Sequence, residues 1–138
     1  MLKRILVPVD GTEYSWRALD HAMALAKMSG GMLIVMTVTK KELLHTVIVN
    51  NGDCMLGQIG NEVLDAARCM LRSSGIEAEF RLEEGGSVAE KILRAEKSEN
   101  CDAIVIGSRG FGMLEGLFKN SVSQIVVENA DVPVTVVK

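Results

Sequence analysis

Apolar and polar positions along this chain alternate between two rhythms, and the alternation predicts the architecture. Lys3 to Val9 is a short run rich in Ile, Leu and Val that reads as a first strand. Thr12 is placed to cap a helix from about Glu13 to Met28, with Ala18, Ala22, Leu25 and Ala26 on one face and Gly30 or Gly31 as its stop. Met32 to Val38 reads as strand two. Residues 39 to 57 have no clear period, and Asn50, Asn51, Gly52 and Asp53 mark a turn or mobile loop. From about Gln58 to Ser74 the apolar positions Ile59, Val63, Ala67, Met70 and Leu71 return to helical spacing, and Gly75 suits the C′ position.

The next segment differs. Ile76, Ala78, Phe80 and Leu82 alternate with Glu77, Glu79, Arg81 and Glu83, the pattern of a strand with one wet face. Such a strand belongs at a sheet edge, where charges also discourage unwanted pairing. Ser87 starts a third helix using Val88, Ile92 and Ala95; Ala103 to Ile106 is a strand buried on both faces; Val122, Ile125 and Val126 mark a fourth helix; and Val134 to Val137 completes the set. Alternating β and α units with right-handed crossovers imply an α/β fold: a doubly wound, five-stranded parallel sheet with helices on both faces, in the order 3-2-1-4-5, forming one domain over residues 1–138.

In such sheets ligands sit beyond the carboxyl ends of the strands, where strand order reverses. That rule makes neighbours of Pro8-Val9-Asp10-Gly11, ending strand one, and Gly107-Ser108-Arg109-Gly110, ending strand four. Asp10 is placed to accept hydrogen bonds from a ribose or base, or to help hold a metal. The glycine loop leads into a helix starting near Ser121, so an anion between them meets donors from two directions, with Arg109 adding a charge. The loop is not a Walker A sequence, because Met113 follows Gly112 where lysine is required. From Gly110 its spacing is one residue longer than the dinucleotide fingerprint. The architecture predicts a nucleotide.

Each of these residues also has a reading without a ligand. Ser121 with Gln124 forms a capping box, Asn120 is an alternative N-cap, Asp10 suits an Asx turn, and Arg109 suits solvent. Gly112 and Gly116 fit a purely backbone role.

Composition narrows the function classes. A net charge of −3 without a basic run argues against nucleic acid as the main partner. Cys54, Cys69 and Cys101 are odd in number and form no Cys-x-x-Cys pair, which suits buried, reduced thiols in a cytoplasmic protein. The N-terminal MLKRILVPVD lacks an apolar stretch long enough for a signal peptide or membrane span. His21 and His45 have no ligand spacing around them for zinc, and no Gly-x-Ser-x-Gly elbow supports hydrolysis. Met23, Met28, Met32, Met36 and Met70 read as core filler. A phosphorelay receiver needs an acidic cluster after strand one and an Asp after strand three. Here only Asp10 follows strand one, and Glu83-Glu84-Gly85-Gly86 follows strand three.

Four segments carry a family resemblance over the whole chain: ILVPVDGTEYSWRAL, EEGGSVAEKI, DAIVIGSRG and NSVSQIVVENADVPVTVVK. Together they resemble the universal stress proteins, a Rossmann-like fold of the adenine nucleotide alpha hydrolase-like type. In the nucleotide-binding branch the pattern is Gly, two residues, Gly, nine residues, then Gly and Ser or Thr. Gly107, Gly110 and Ser121 match that spacing, and Asn120 stands where the last glycine would be. The resemblance implies ATP, with or without Mg2+, as ligand. It places Asp10 near the adenosine, the Val38 backbone at adenine, and Gly107, Gly110, Ser121 and Val122 around ribose and phosphates. Pro8, Val9, Ile106, Arg109 and Asn120 complete the implied binding set, with no catalytic or metal-ligating residue. It also implies a homodimer through the last strand, Val132 to Lys138, an unidentified protein partner, and no membrane association. Asparagine tolerates the left-handed region at a cost of roughly 1 kcal/mol against glycine, and its amide can donate to a phosphate. The expected function is a dimeric sensor of ATP or a related adenine nucleotide. The alternatives are a non-binding interaction module of the same fold and, third, a slow ATPase for which no dedicated base is found.

Overall fold

A computed structural model of the chain describes residues 2–39, 55–110 and 121–138. The strands are β1 (Arg4–Pro8), β2 (Met32–Thr39), β3 (Ala78–Glu84), β4 (Ala103–Gly107) and β5 (Val134–Val137). The helices are α1 (Glu13–Ser29), α2 (Met55–Leu71), α3 (Val88–Ser98) and α4 (Val122–Asn129). All pairings are parallel, in the order β3-β2-β1-β4-β5. The expected fold, strand order and outermost β3 are therefore present.

Side-chain alternation along the buried strands builds two cores. Ile5 and Val7 of the first strand and Val9 just beyond it face Ala18, Leu19, Ala22 and Ala26 of α1 and Leu64, Ala67 and Leu71 of α2. Leu6, Ile34, Met36, Ile104 and Ile106 face the other way, against Ile92 and Ala95 of α3 and Val126 of α4. Both faces of the central strands are dry, which is why their sequences are continuous apolar runs.

Helix ends follow local chemistry. Thr12 Oγ1 accepts from Ser15 N at 3.3 Å, and Ser87 Oγ accepts from Glu90 N at 3.3 Å. Gly30 closes α1 in the left-handed region, at φ 73°. The end of α2 differs from expectation. The helix stops at Leu71, and two residues beyond it are left-handed, Ser73 at φ 65° and Gly75 at φ 76°, so Gly75 has the expected conformation but lies one step past the helix end that Ser73 follows. Its start, at Met55, is earlier than the periodicity gave, and the turn expected at residues 50–53 lies outside the described residues.

The wet face of β3 is partly covered by ion pairs. Arg81 reaches Glu83 at 2.7 Å and Glu99 at 2.8 Å, and Glu99 also holds Arg4 at 3.0 Å. Glu83 and Glu84 lie within β3, not after it. Met36 is fully buried, whereas Met28 is 84 % exposed, so the core-filler reading fails at that methionine. Cys101 is buried as expected, but Cys69 is exposed; Cys54 lies outside the described residues. No helix among the described residues is long and apolar enough to cross a membrane.

Candidate functional site

Strand register places the candidate residues at one end of the sheet. Pro8 pairs with Met36, so Asp10 comes level with Val38, and Val9 N donates to Met36 O at 2.7 Å. Leu6 pairs with Ile104 on the other side, which brings Asp10 level with the start of the glycine loop. Pro8, Val9, Val38, Ile106 and Gly107 are buried and shape the strand ends. The side chains of Val9, Val38 and Ile106 belong to the core, which leaves their backbone groups for a ligand.

Asp10 organises the turn that starts α1. Its Oδ1 accepts from Thr12 N at 3.0 Å and from Thr12 Oγ1 at 2.6 Å, the Asx turn read from the sequence. Asp10 N donates to Ser15 Oγ at 3.3 Å, and Ser15 Oγ donates in turn to Thr12 O at 2.9 Å. The carboxylate therefore sits within the turn that caps the N-terminal end of α1.

Its other oxygen faces the glycine loop. A Cβ built on Gly110 would lie 2.2 Å from Asp10 Oδ2, and Gly110 has φ +125°, a conformation other residues rarely adopt. Glycine is thus required there both for the backbone angle and to admit the Asp10 carboxylate. Gly107 has a different reason. A Cβ there would lie 2.9 Å from the carbonyl carbon and oxygen of Tyr14, so glycine lets the first turn of α1 pack directly on the end of β4. The sequence reading gave Gly107 a phosphate role and missed this packing.

The third part of the site is the start of α4. Ser121 caps it, with its Oγ accepting from Gln124 N at 3.1 Å. The reciprocal half of the capping box is not made: Gln124 Nε2 donates to Glu128 Oε1 at 3.5 Å instead. Ser121 Oγ also lies 3.0 Å from Ser123 Oγ, and Ser123 Oγ donates to Ser108 O at 3.4 Å. This chain of hydroxyls ties the helix start to the glycine loop. Ile106, Gly107, Ser108, Arg109, Gly110, Ser121, Val122 and Ser123 border one narrow recess between the glycine loop and the α4 start. Asn120, Gly112 and Gly116 lie outside the described residues.

Arg109 is exposed at the rim, with its Cζ 6.0 Å from the centre of the Tyr14 ring. The expected solvated arginine therefore also lies at the outer edge of cation–π range of an aromatic ring. Tyr14, Ser15, Ser108 and Ser123 were not singled out from the sequence. Ser15, at the N3 position of a helix capped by Thr12, was recoverable from spacing, but Tyr14 was not, because its role depends on a tertiary approach to β4. Among the described residues no three His, Cys, Asp or Glu side chains gather as a metal site.

Comparison with known proteins sets this geometry in context. The universal stress protein YxiE of Bacillus subtilis is 31% identical over 149 residues, covering 100% of both chains. The solved structure of hypothetical protein MJ0577 superposes with a TM-score of 0.83 at 26% identity, covering 100% of this chain and 96% of that one. The universal stress protein of Archaeoglobus fulgidus, solved in complex with dAMP, gives a TM-score of 0.71 at 26% identity, covering 100% of both chains. The sequence pattern of the universal stress protein family matches residues 1–138, the full length of the chain, which therefore belongs to that family.

Proposed function

We propose that this chain binds adenine nucleotides, with ATP as its ligand, and acts as a homodimeric stress-response regulator in the cytoplasm rather than as an enzyme. The observation that carries the reading is the seating of Gly110 on the Asp10 carboxylate. It joins a ribose-type acceptor just beyond β1 to an anion-type loop after β4, and the start of α4 borders the same loop. The dAMP complex of the Archaeoglobus relative supports an adenine nucleotide as ligand class.

The division of labour follows from chemistry. Asp10 accepts from sugar hydroxyls, a task for a carboxylate because it is an acceptor with two oxygens. The Val38 backbone, level with Asp10, meets the adenine edge. Gly107, Gly110, Ser121 and Val122 present backbone N–H groups and a hydroxyl to the phosphates, and the α4 dipole favours their charge. Mg2+ enters with the nucleotide's own phosphates. No residue is assigned a catalytic role.

Asn120 supplies the second reading, an interaction module whose phosphate site is closed by the added side chain. Calorimetric titration of nucleotide-stripped protein with ATP and Mg2+, repeated on Asn120→Gly, separates the two. Micromolar binding by the natural chain is expected. Binding only after Asn120→Gly establishes the interaction module instead.

A further inference from the structure

The outer edge of β3 carries two features that nucleotide binding does not use. The first is a row of backbone groups. Leu33 N donates to Glu77 O at 2.9 Å, and Gly85 N donates to Thr39 O at 2.8 Å. Backbone groups of alternate strand residues point to opposite sides, so Glu79, Arg81 and Glu83 turn theirs toward β2, while Ala78, Phe80 and Leu82 turn theirs outward. β3 ends the sheet, and among the described residues no strand pairs with it on that side.

The second feature is an apolar recess beside the same residues. α2 packs tightly on β3 at Gly60, where a Cβ would lie 2.5 Å from Leu82 Cδ1. Toward the C-terminal end of the helix a recess of about 240 Å3 opens between Leu71, Ile76, Ala78 and Phe80, with Arg68 and Arg72 on its wall. The Arg68 guanidinium lies 4.5 Å from the centre of the Phe80 ring and pairs with Asp65 at 2.7 Å. Arg72 is exposed, and among the described residues no carboxylate pairs with it. The wall is therefore positive.

These features select an occupant. The outward N–H and C=O groups suit an extended backbone, and the recess suits one apolar side chain. Arg72 suits a carboxylate on the same face of that strand, where alternate side chains fall. On the opposite face Glu79, Arg81 and Glu83 are charged, which disfavours an apolar strand such as β5 and suits small polar side chains. We propose that the β3 edge docks an extended peptide of a protein partner, alternating acidic and apolar side chains on one face and small polar ones on the other, which adds to the sheet beside β3.

Fluorescence anisotropy with the labelled heptapeptide Ser-Glu-Thr-Leu-Thr-Glu-Ser tests it, since the Glu, Leu and Glu side chains share one face. Saturable binding to the natural chain is expected. Arg72→Glu, at an exposed position, is expected to weaken it about tenfold, the scale of one charge-assisted hydrogen bond. Changing the peptide's leucine to serine, or both glutamates to lysine, is expected to weaken it as well. N-methylation of alternate peptide residues, in each of the two phases, probes the backbone: one phase is expected to abolish binding, because a strand edge uses every second N–H. Amide exchange followed by NMR is expected to slow at Ala78, Phe80 and Leu82 when peptide is bound. No saturable binding at about 1 mM peptide, or binding indifferent to Arg72→Glu and to both N-methyl phases, overturns the proposal. Self-association that Arg72→Glu abolishes in analytical ultracentrifugation makes a second copy the occupant and overturns it too.

Discussion

At Gly110 a hydrogen in place of a methyl group decides whether two segments can meet. The added Cβ of Gly110→Ala would fall 2.2 Å from Asp10 Oδ2, and its φ of +125° would be strained for alanine even in open space. Backbone strain of this kind costs about 1–3 kcal/mol. We expect Gly110→Ala to lower stability by about that amount and to weaken nucleotide binding at least tenfold, since Asp10 is pushed from its place. Thermal unfolding and calorimetric titration provide the two readings. A double-mutant cycle with Asp10→Ala apportions the loss: the steric part disappears with the carboxylate, whereas the backbone part stays. Cys101 gives a residue-scale prediction of another kind. Burial pushes its thiol from 9.0 up to about 12, with Glu99, Glu96 and Asp102 adding to the rise and Arg4 opposing it. Below pH 9 the thiol is neutral in both the folded and the unfolded chain and leaves stability unchanged. Between pH 9 and 12 only the unfolded thiol ionises, so stability falls as pH rises. In a Cys54→Ser background, Ellman's reagent at pH 8 is expected to modify the exposed Cys69 within minutes and Cys101 only on unfolding. Equal rates at the two thiols would contradict this burial.

Helix caps separate local stability from function at the scale of elements. Ser87 and Ser121 make the same bond, each accepting from the backbone N–H three residues on, at 3.3 and 3.1 Å. Either serine changed to alanine is expected to cost about 1 kcal/mol in denaturant unfolding. Only Ser121→Ala is expected to weaken ATP binding as well, because Ser121 also belongs to the hydroxyl chain through Ser123 to Ser108. An undiminished affinity in Ser121→Ala would reduce that serine to a cap. These caps also mark what the sequence made legible. α1, α3 and α4 begin where Thr12, Ser87 and Ser121 had placed them, because an N-cap is encoded within four residues. β1, β2 and β4 were plain because strands buried on both faces cannot hide polar positions. α2 was misplaced at both ends: no cap residue was read before Met55, and Leu71 is followed by two left-handed residues, Ser73 and Gly75, where the glycine alone was expected. At the site, Asp10 and Gly110 were readable from strand order and the reversal rule. The packing reason for Gly107 and the approach of the Tyr14 ring to Arg109 were not, since both arise where α1 crosses the end of β4 and no local pattern records that crossing. Glu96 is a similar case: it is 4 % exposed on α3, and its Oε1 accepts from Asp131 N at 3.0 Å, a tie between elements distant in sequence.

The two edges of the sheet differ for the molecule as a whole, and the difference bears on how copies pair. At the β3 edge, Arg81 pairs with Glu83 along the outer strand and with Glu99 just beyond α3, and Glu79 is exposed beside them. A strand approaching there meets charges that must be desolvated, a standard protection for an edge. At the opposite edge β5 is short and carries only valine and threonine, with Thr135 exposed and Val136 40 % exposed. Nothing in β5 itself opposes pairing with a second β5, and a self-complementary twofold contact is the commonest route to a dimer. The proposed homodimer therefore belongs at β5. Val136→Lys, which places a charge on that edge, is expected to shift the protein from dimer to monomer in analytical ultracentrifugation, while Glu79→Lys on the β3 edge leaves the dimer intact. A dimer that survives Val136→Lys and dissociates with Glu79→Lys would move the interface to the other edge. The consequence reaches the site through one bond: Ser108 N donates to Val137 O at 2.8 Å, so β5 secures the start of the glycine loop. Fraying of an unpaired β5 loosens that loop, and the Val136→Lys monomer is expected to bind ATP a few-fold more weakly, with the deficit appearing chiefly as faster dissociation.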